Sequence, residues 1–196
     1  MQIVGIAGLP RSGKDTLAEL FMADGWFGVS FGDIIRDQSR QRHADQPDPI
    51  SVKNMTETAN YLRTQHGADY VLKQALARFE AAQKDQEYAG VLFLSVRAPV
   101  EADFILEHHG RLVWVEASDA DRHARSLQNL RDGEVAMSLE EMKAQEALQA
   151  KPQPGIPAEV QMNITYIKEH ATDTLSNDGS KEEFLEKAHN LIKQVG

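Results

Sequence analysis

The strongest chemical signal in the chain is Gly8-Leu9-Pro10-Arg11-Ser12-Gly13-Lys14-Asp15-Thr16. It fits G-x-x-x-x-G-K, followed by Asp15 where the strict pattern has Ser or Thr. In such a loop the glycines let the backbone curl so that successive N–H groups point at phosphate oxygens. The following helix adds the positive end of its dipole, and the lysine reaches the outer phosphates. Gly8, Arg11, Ser12, Gly13, Lys14, Asp15 and Thr16 are therefore candidate contacts for a nucleotide polyphosphate. The plainer alternative is a glycine-rich turn with an exposed lysine, which the apolar strand before it and the amphipathic helix after it disfavour. Asp15 has two readings. A carboxylate so near a triphosphate repels it unless a cation lies between, which makes Asp15 a candidate Mg²⁺ ligand. It is equally an acid in a first helical turn, favoured there by the macrodipole.

The loop needs a strand and a helix to hold it, and the sequence supplies both. Gln2 to Ala7 reads as a short buried strand, and Asp15 to Asp24 as a core-facing helix with Leu17, Ala18, Leu20, Phe21 and Met22 on its stripe. Phe27 to Phe31 predicts a second strand and Asp33 to His43 a helix, followed by a loop at 45–49. Residues 51–87 predict two helices broken near Gly67. Val91 to Leu94 is a continuous apolar run, suited to the middle of a parallel sheet. A helix from Pro99 to about His109, a strand over Arg111–Val115 and helices over 119–131 and 138–149 follow. After the irregular 151–157 stretch come a helix over 158–170, a weak strand over Thr172–Ser176, and a last helix with a capping box formed by Ser180 and Glu183. Strands alternating with helices mean a three-layer α/β fold with a mostly parallel sheet.

The chain has 196 residues, 30 acidic against 21 basic side chains, a net charge of −9 and no cysteine. That length fits one domain, 1–196, with a real core. The missing cysteines exclude disulfide scaffolds, Cys-type zinc sites and thiol catalysis. With no leader pattern and no run long enough to span a bilayer, the expectation is a soluble cytoplasmic protein without membrane contact. The acidic balance makes nucleic acid an improbable partner. The charge is uneven: all 11 arginines lie within residues 1–131, whereas residues 132–196 carry 12 acids against six lysines. A polyanion site belongs in the first two thirds. His108-His109 is not read as a metal site, because adjacent histidines diverge and no third ligand is suitably spaced. The methionines and the Trp26 and Trp114 rings read as core.

Three further segments, Gly32-Asp33-Ile34-Ile35-Arg36, Val96-Arg97-Ala98-Pro99-Val100-Glu101 and Ser176-Asn177-Asp178-Gly179-Ser180, follow the loop in order. Together with it they resemble the P-loop nucleoside-monophosphate-kinase-like group, which holds adenylate kinases, phage deoxynucleotide kinases and dephospho-coenzyme A kinases. Within that group the chain most resembles an uncharacterised archaeal-type, nucleotide-kinase-like subgroup. The resemblance covers nearly the whole chain. It implies a P-loop NTPase fold with a five-stranded sheet, a helical acceptor-binding insert over 33–87 and a short lid over about 132–157. It also implies Mg²⁺ and ATP, with a small nucleotide as acceptor.

By that resemblance Arg36 grips the acceptor phosphate, Asp33 lies near the transferred phosphoryl group, and Arg97 holds the acceptor or transferred phosphate. A planar guanidinium suits such a bidentate task. The plainer alternatives are a helix N-cap for Asp33, a solvated helix face for Arg36 and a surface ion pair for Arg97. Two departures stand out. Relatives carry an acid where this chain has Ser95; one reading is an exchange of roles, in which the magnesium-organising carboxylate sits at Asp15 instead. The lid candidate contains Lys143 and Lys151 but no arginine, which leaves Arg122, Arg125 and Arg131 of the preceding helix as substitutes. Arg122 and Arg125, at i and i+3, share a face, although each reads slightly better as an exposed helix arginine. The Asn177 turn matches a loop that flanks adenine in dephospho-coenzyme A kinases, but a glycine turn with an N-cap explains every residue in it.

The expected activity is transfer of the γ-phosphoryl group of Mg²⁺·ATP to a small acceptor, foremost a (deoxy)nucleoside monophosphate. Lys14, Asp33, Arg97, Arg122 and Arg125 are the candidate catalytic residues, and Asp33, Arg36 and Arg97 the acceptor-binding ones. Dephospho-coenzyme A is the alternative acceptor, although Gly32-Asp33 departs from the Asp-x-Asp of those enzymes. A nucleotide-binding regulator or slow NTPase is the alternative from another class.

Overall fold

The computed structural model describes residues 1–128, 130, 136–150, 152, 155 and 157–195. Arg131, Lys151 and part of the 132–157 lid candidate lie outside the described residues. Five strands, β1 (Gln2–Ala7), β2 (Phe27–Ser30), β3 (Gly90–Leu94), β4 (Arg111–Glu116) and β5 (Asp173–Ser176), form one sheet in the order β2-β3-β1-β4-β5. Every pairing is parallel, with Gln2 opposite Gly90, Val4 opposite Arg111, Phe27 opposite Val91 and Val113 opposite Asp173. The three central strands are the apolar runs of the sequence, and both of their faces are covered, as a parallel sheet requires.

Alternate side chains sort the helices into two layers. Ile3, Ala7, Val91, Phe93, Leu112 and Trp114 pack with α2 (Phe31–Arg42), α3 (Val52–His66), α4 (Tyr70–Ala82), α5 (Pro99–Glu107) and α8 (Ile164–Glu169). Val4, Ile6, Leu92, Val113 and Val115 face the other way, onto α1 (Lys14–Ala23) and α9 (Lys181–Val195). Gly5 has a packing reason: a Cβ there would collide with the Ile105 side chain, so its absence lets α5 lie close on the central strand. The remaining helices, α6 (Asp119–Gln128) and α7 (Leu139–Ala150), follow β4. Trp26 and Trp114 are core as expected, but Met1 and Met22 are exposed and Met142 is the buried methionine.

Two boundaries differ from the sequence reading for local reasons. The helix expected over 158–170 is a short 3-10 turn (Ala158–Val160) and then α8. Asn163 interrupts it, its side chain accepting from the Tyr166 N–H while its own N–H donates to the Arg97 carbonyl at 2.9 Å. Helix α2 begins at Phe31, two residues early, because Ser30 is its N-cap.

The chain segments leaving β1, β2, β3, β4 and β5 are all at the carboxyl end of the sheet, where open α/β folds bind ligands. The opposite end is tied by Arg111 on β4 and Asp173 on β5. The guanidinium Nε donates to Oδ2 at 2.9 Å and NH2 donates to Oδ1. Burial alone would push the Asp173 carboxyl up, but Arg111 and the Thr172 hydroxyl outweigh it and hold the group below the usual carboxylate value. A carboxyl depressed in the folded state stabilises the fold above its unfolded pKa of about 4, and that contribution disappears as pH falls through the lower folded value. Asp173→Asn is therefore expected to cost about 1–2 kcal/mol at pH 7. In urea titrations the gap from the wild type should shrink as pH falls below about 4.

Candidate functional site

Between β1 and α1 the backbone turns through Gly8 at φ 150°, Arg11 at φ 64° and Gly13 at φ 106°. Gly13 needs its lack of a side chain twice over, for this left-handed φ and because a Cβ would collide with the Asn177 amide. Gly13 is also the N-cap of α1 and, having no side chain, makes no side-chain cap hydrogen bond. The carbonyls of Leu9 through Gly13 are all engaged. Leu9 O accepts from Ser12 N at 3.2 Å and Gly13 O from Leu17 N at 3.1 Å. Pro10 O accepts from Arg122 NH1 at 3.3 Å, Arg11 O from Arg125 NH1 at 3.2 Å, and Ser12 O from Asn177 Nδ2 at 2.8 Å. A curl that turns amides to one side turns carbonyls to the other, and those carbonyls are met by α6 and the β5–α9 turn. Lys14 is buried along the loop, with its ammonium 3.7 Å from an Asp15 oxygen; the Asp15 side chain is exposed. The Ser12 hydroxyl is buried in the curl with no hydrogen-bond partner among the described residues. Thr16 is half-buried in the first turn of α1.

Across the carboxyl end, Asp33 stands in the first turn of α2 with its N–H donating to the Ser30 hydroxyl at 3.1 Å. It is therefore not the N-cap; the serine three residues earlier has that role. Arg36 donates to the Asp33 carboxylate, so the two expected acceptor residues are an ion pair one helical turn apart. Ser95, in a left-handed conformation at φ 62°, ends β3 next to Gly32. Arg97 follows on the same loop. Burial pulls its pKa below the usual guanidinium value, Glu101 opposes this, Arg36 and Arg63 add to the lowering, and Asp15 opposes again. Arg97 thus feels the fields of Arg36, Arg63 and the phosphate-loop acid together, and the expected residues gather at one place.

Sequence reasoning missed what fixes that loop. Glu101, 1% exposed, accepts from the N–H groups of Arg97 at 2.8 Å and Ala98 at 3.0 Å through one oxygen. Its other oxygen accepts from Arg63 NH2 at 2.8 Å. Arg63 is also 1% exposed, and its Nε and NH1 have no hydrogen-bond partner among the described residues. A signal existed, since Arg63 falls on the buried stripe of α3 with Ala59 and Leu62, where a charge demands a partner. Glu101 was harder to find, because its three-residue spacing from an N-cap lacks the usual Ser or Thr at Ala98.

The arginines of α6 are placed unlike the exposed side chains that the sequence favoured. Arg122 is 1% exposed: besides Pro10 O it donates from NH2 to Asp119 at 2.7 Å and grips both oxygens of Glu146 on α7. Burial would lower its pKa, but Glu146 and Asp119 prevail and raise it. Arg125, half-buried, donates to Asn177 O at 2.8 Å as well as to the loop. Lys143 of the lid candidate pairs with Asp119 at 2.7 Å. The Asn177 turn is a backbone support for the loop, and the Ser180–Glu183 capping box forms as expected. His108 donates through Nδ1 to the Phe104 carbonyl at 2.8 Å. Among the described residues no three His, Asp or Glu side chains converge as metal ligands, and no helix is long and apolar enough to cross a membrane.

No family model matches the chain. Against solved structures it resembles TT1252 from Thermus thermophilus, with a TM-score of 0.56 at 19% identity, covering 100% of this chain and 98% of that one. It also resembles dephospho-CoA kinase from Campylobacter jejuni, with a TM-score of 0.52 at 16% identity, covering 100% and 97%. The fold is that of the P-loop kinases. In sequence the chain is 28% identical to a UPF0200 protein of Methanoregula boonei, over 100% of this chain and 98% of that one. It is 26% identical to a UPF0200/UPF0201 protein of Archaeoglobus fulgidus, of whose length it spans 56%. The similarity to UPF0200 proteins of archaea agrees with the subgroup read from the motifs.

Removing one member of a buried ion pair strands the other. Arg63→Met is therefore expected to destabilise the P-loop kinase fold by about 3–5 kcal/mol, read as a fall in the urea midpoint. The nearby exposed substitution Arg40→Met, by contrast, should change stability by less than about 0.5 kcal/mol.

Proposed function

We propose that the chain is a Mg²⁺·ATP-dependent phosphotransferase acting on a small phosphorylated acceptor, foremost a (deoxy)nucleoside monophosphate. The observation that carries this reading is the pairing of two opposed features at one sheet end. One is a loop whose Pro10, Arg11 and Ser12 carbonyls are held from outside. The other is a group of arginines, Arg36, Arg63 and Arg97, whose fields meet at Arg97 beside Asp15.

The residues present fit a polyphosphate. The N-terminus of α1, the buried Lys14 and the Ser12 hydroxyl supply donors, and the positive-φ turns at Gly8 and Gly13 shape the curl that presents them. Arg11 and Thr16 flank that cradle. Mg²⁺ would neutralise charge between the phosphates, held by them, by water and by Asp15, since no protein cluster among the described residues could hold it alone. Arg97 and Arg36 would orient the acceptor phosphate, with Asp33 beside the entering group and fixing the Arg36 fork. An acceptor oxygen then bonds to the γ-phosphorus as the bond to the β-bridging oxygen breaks, and ADP leaves. Such chemistry needs positioning and charge stabilisation, with no covalent nucleophile. Arg125 contributes by holding the loop, and Arg122 stands next to it.

The test is ADP formation across ribo- and deoxynucleoside monophosphates and dephospho-coenzyme A, against a no-acceptor control. At least one acceptor should raise ADP release well above the control. If ATP binds and none does, the transferase reading fails in favour of a regulator or slow NTPase. Lys14→Ala should cut turnover by at least roughly 100-fold. Asp15→Ala should lower Mg²⁺·ATP turnover far more than Ser95→Ala; equal mild losses would refute the transfer of the magnesium role to Asp15.

A further inference from the structure

Arg122 does not need Glu146 in order to support the loop, since its contact with Pro10 O is made by NH1 and Asp119 already accepts from NH2. Glu146 nevertheless takes both nitrogens, with Oε2 at 3.0 Å from NH2 and Oε1 against NH1. Carboxylate and phosphate occupy a guanidinium fork in the same two-pronged way. A carboxylate is thus seated one guanidinium away from a loop shaped for polyanions. Its side chain is only 14% exposed, so solvent screens it poorly.

We propose that Glu146 is a positioning residue that holds Arg122 as a built-in substitute for phosphate, and that a nucleotide polyphosphate competes with it for the same fork. This rests on the nucleotide reading above. The anchoring of α7 suits an exchange. Among its described side chains Met142 is buried and Leu139 half-buried, and the polar ties are Lys143 to Asp119, Arg122 to Glu146, and Thr165 Oγ1 to the Ala150 carbonyl at 2.9 Å. Segments held by few apolar contacts open at low cost. Once Glu146 leaves, Arg122 keeps Pro10 O and Asp119 and gains the ligand, while α7 loses its strongest tie. Nucleotide affinity and α7 opening are then coupled, and each must affect the other equally.

The experiment measures ATP binding by calorimetry in the full chain, with hydrogen exchange over 139–150. Glu146→Gln, nearly isosteric and uncharged, should bind ATP roughly tenfold more tightly, more so at low salt. Glu146→Asp should retain wild-type affinity, and Glu140→Gln, an exposed acid on the same helix, should leave it unchanged. In the wild type, ATP should speed exchange in α7. A purely structural Glu146 would give weaker or unchanged binding in Glu146→Gln, and that result overturns the proposal. If Glu146→Gln does not fold, exchange in the wild type decides alone, and slowed or unchanged α7 exchange overturns the proposal. A wild-type chain that binds no ATP overturns the nucleotide reading itself, whereas a wild type that binds with Glu146→Gln no tighter removes only the role of Glu146.

Discussion

A backbone that turns its amides inward must find partners for its carbonyls outside, and much of the carboxyl end of this molecule is arranged around that demand. Pro10, Arg11 and Ser12 present three carbonyls that the loop itself does not satisfy, and three side chains from distant parts of the chain meet them: Arg122, Arg125 and Asn177. Arg125 closes the arrangement by also holding Asn177 O, which cross-braces α6 to the β5–α9 turn. Asp178 extends the same brace, accepting from the Ser176 hydroxyl and the Ser118 N–H, and both bonds hold its carboxyl below the usual range. The glycine pattern of the loop is thus half of a device whose other half lies more than 100 residues away in sequence.

The facing wall is built on the opposite problem, excess positive charge in a poorly hydrated place. Arg36, Arg63 and Arg97 act on one another, and the carboxylate buried among them, Glu101, is fully used by Arg63 and two backbone amides. That leaves Arg63 with two donors unpaired among the described residues, while burial lowers the Arg97 pKa against the opposing charge of Glu101. Such costs are uncommon in a core and common where a ligand is to be held.

The fold was legible because its signals are local. Continuous apolar runs gave β1, β3 and β4, the Ser180–Glu183 box gave the start of α9, and Gly67 separated α3 from α4. The loop was legible because its glycines answer to backbone geometry that a pattern can express. What was not legible depends on contacts across long sequence distances. No local feature of α6 says that Arg122 is buried, since its neighbours Asp121, His123 and Ala124 read as a surface helix. Asn177 looked complete as part of a turn and is in fact a loop support. Ser30 took the cap that Asp33 was weighed for, because a hydroxyl one turn earlier reaches the Asp33 N–H.

The uneven charge of the chain acquires a physical meaning from these placements. An acidic excess in the last third works against binding a polyanion, yet several of those acids are committed, among them Asp173 to Arg111, Glu146 to Arg122 and Asp178 to backbone and hydroxyl donors. The arginines they engage are kept ordered at the cost of being neutralised, which a guanidinium tolerates because it stays charged in any pairing. A lysine at position 122 would bring three donors on a single nitrogen and could not serve Pro10 O, Asp119 and both Glu146 oxygens at once. An arginine there reconciles two requirements that otherwise conflict: the loop must be held without a ligand, and the same cation must remain able to change partners when one arrives.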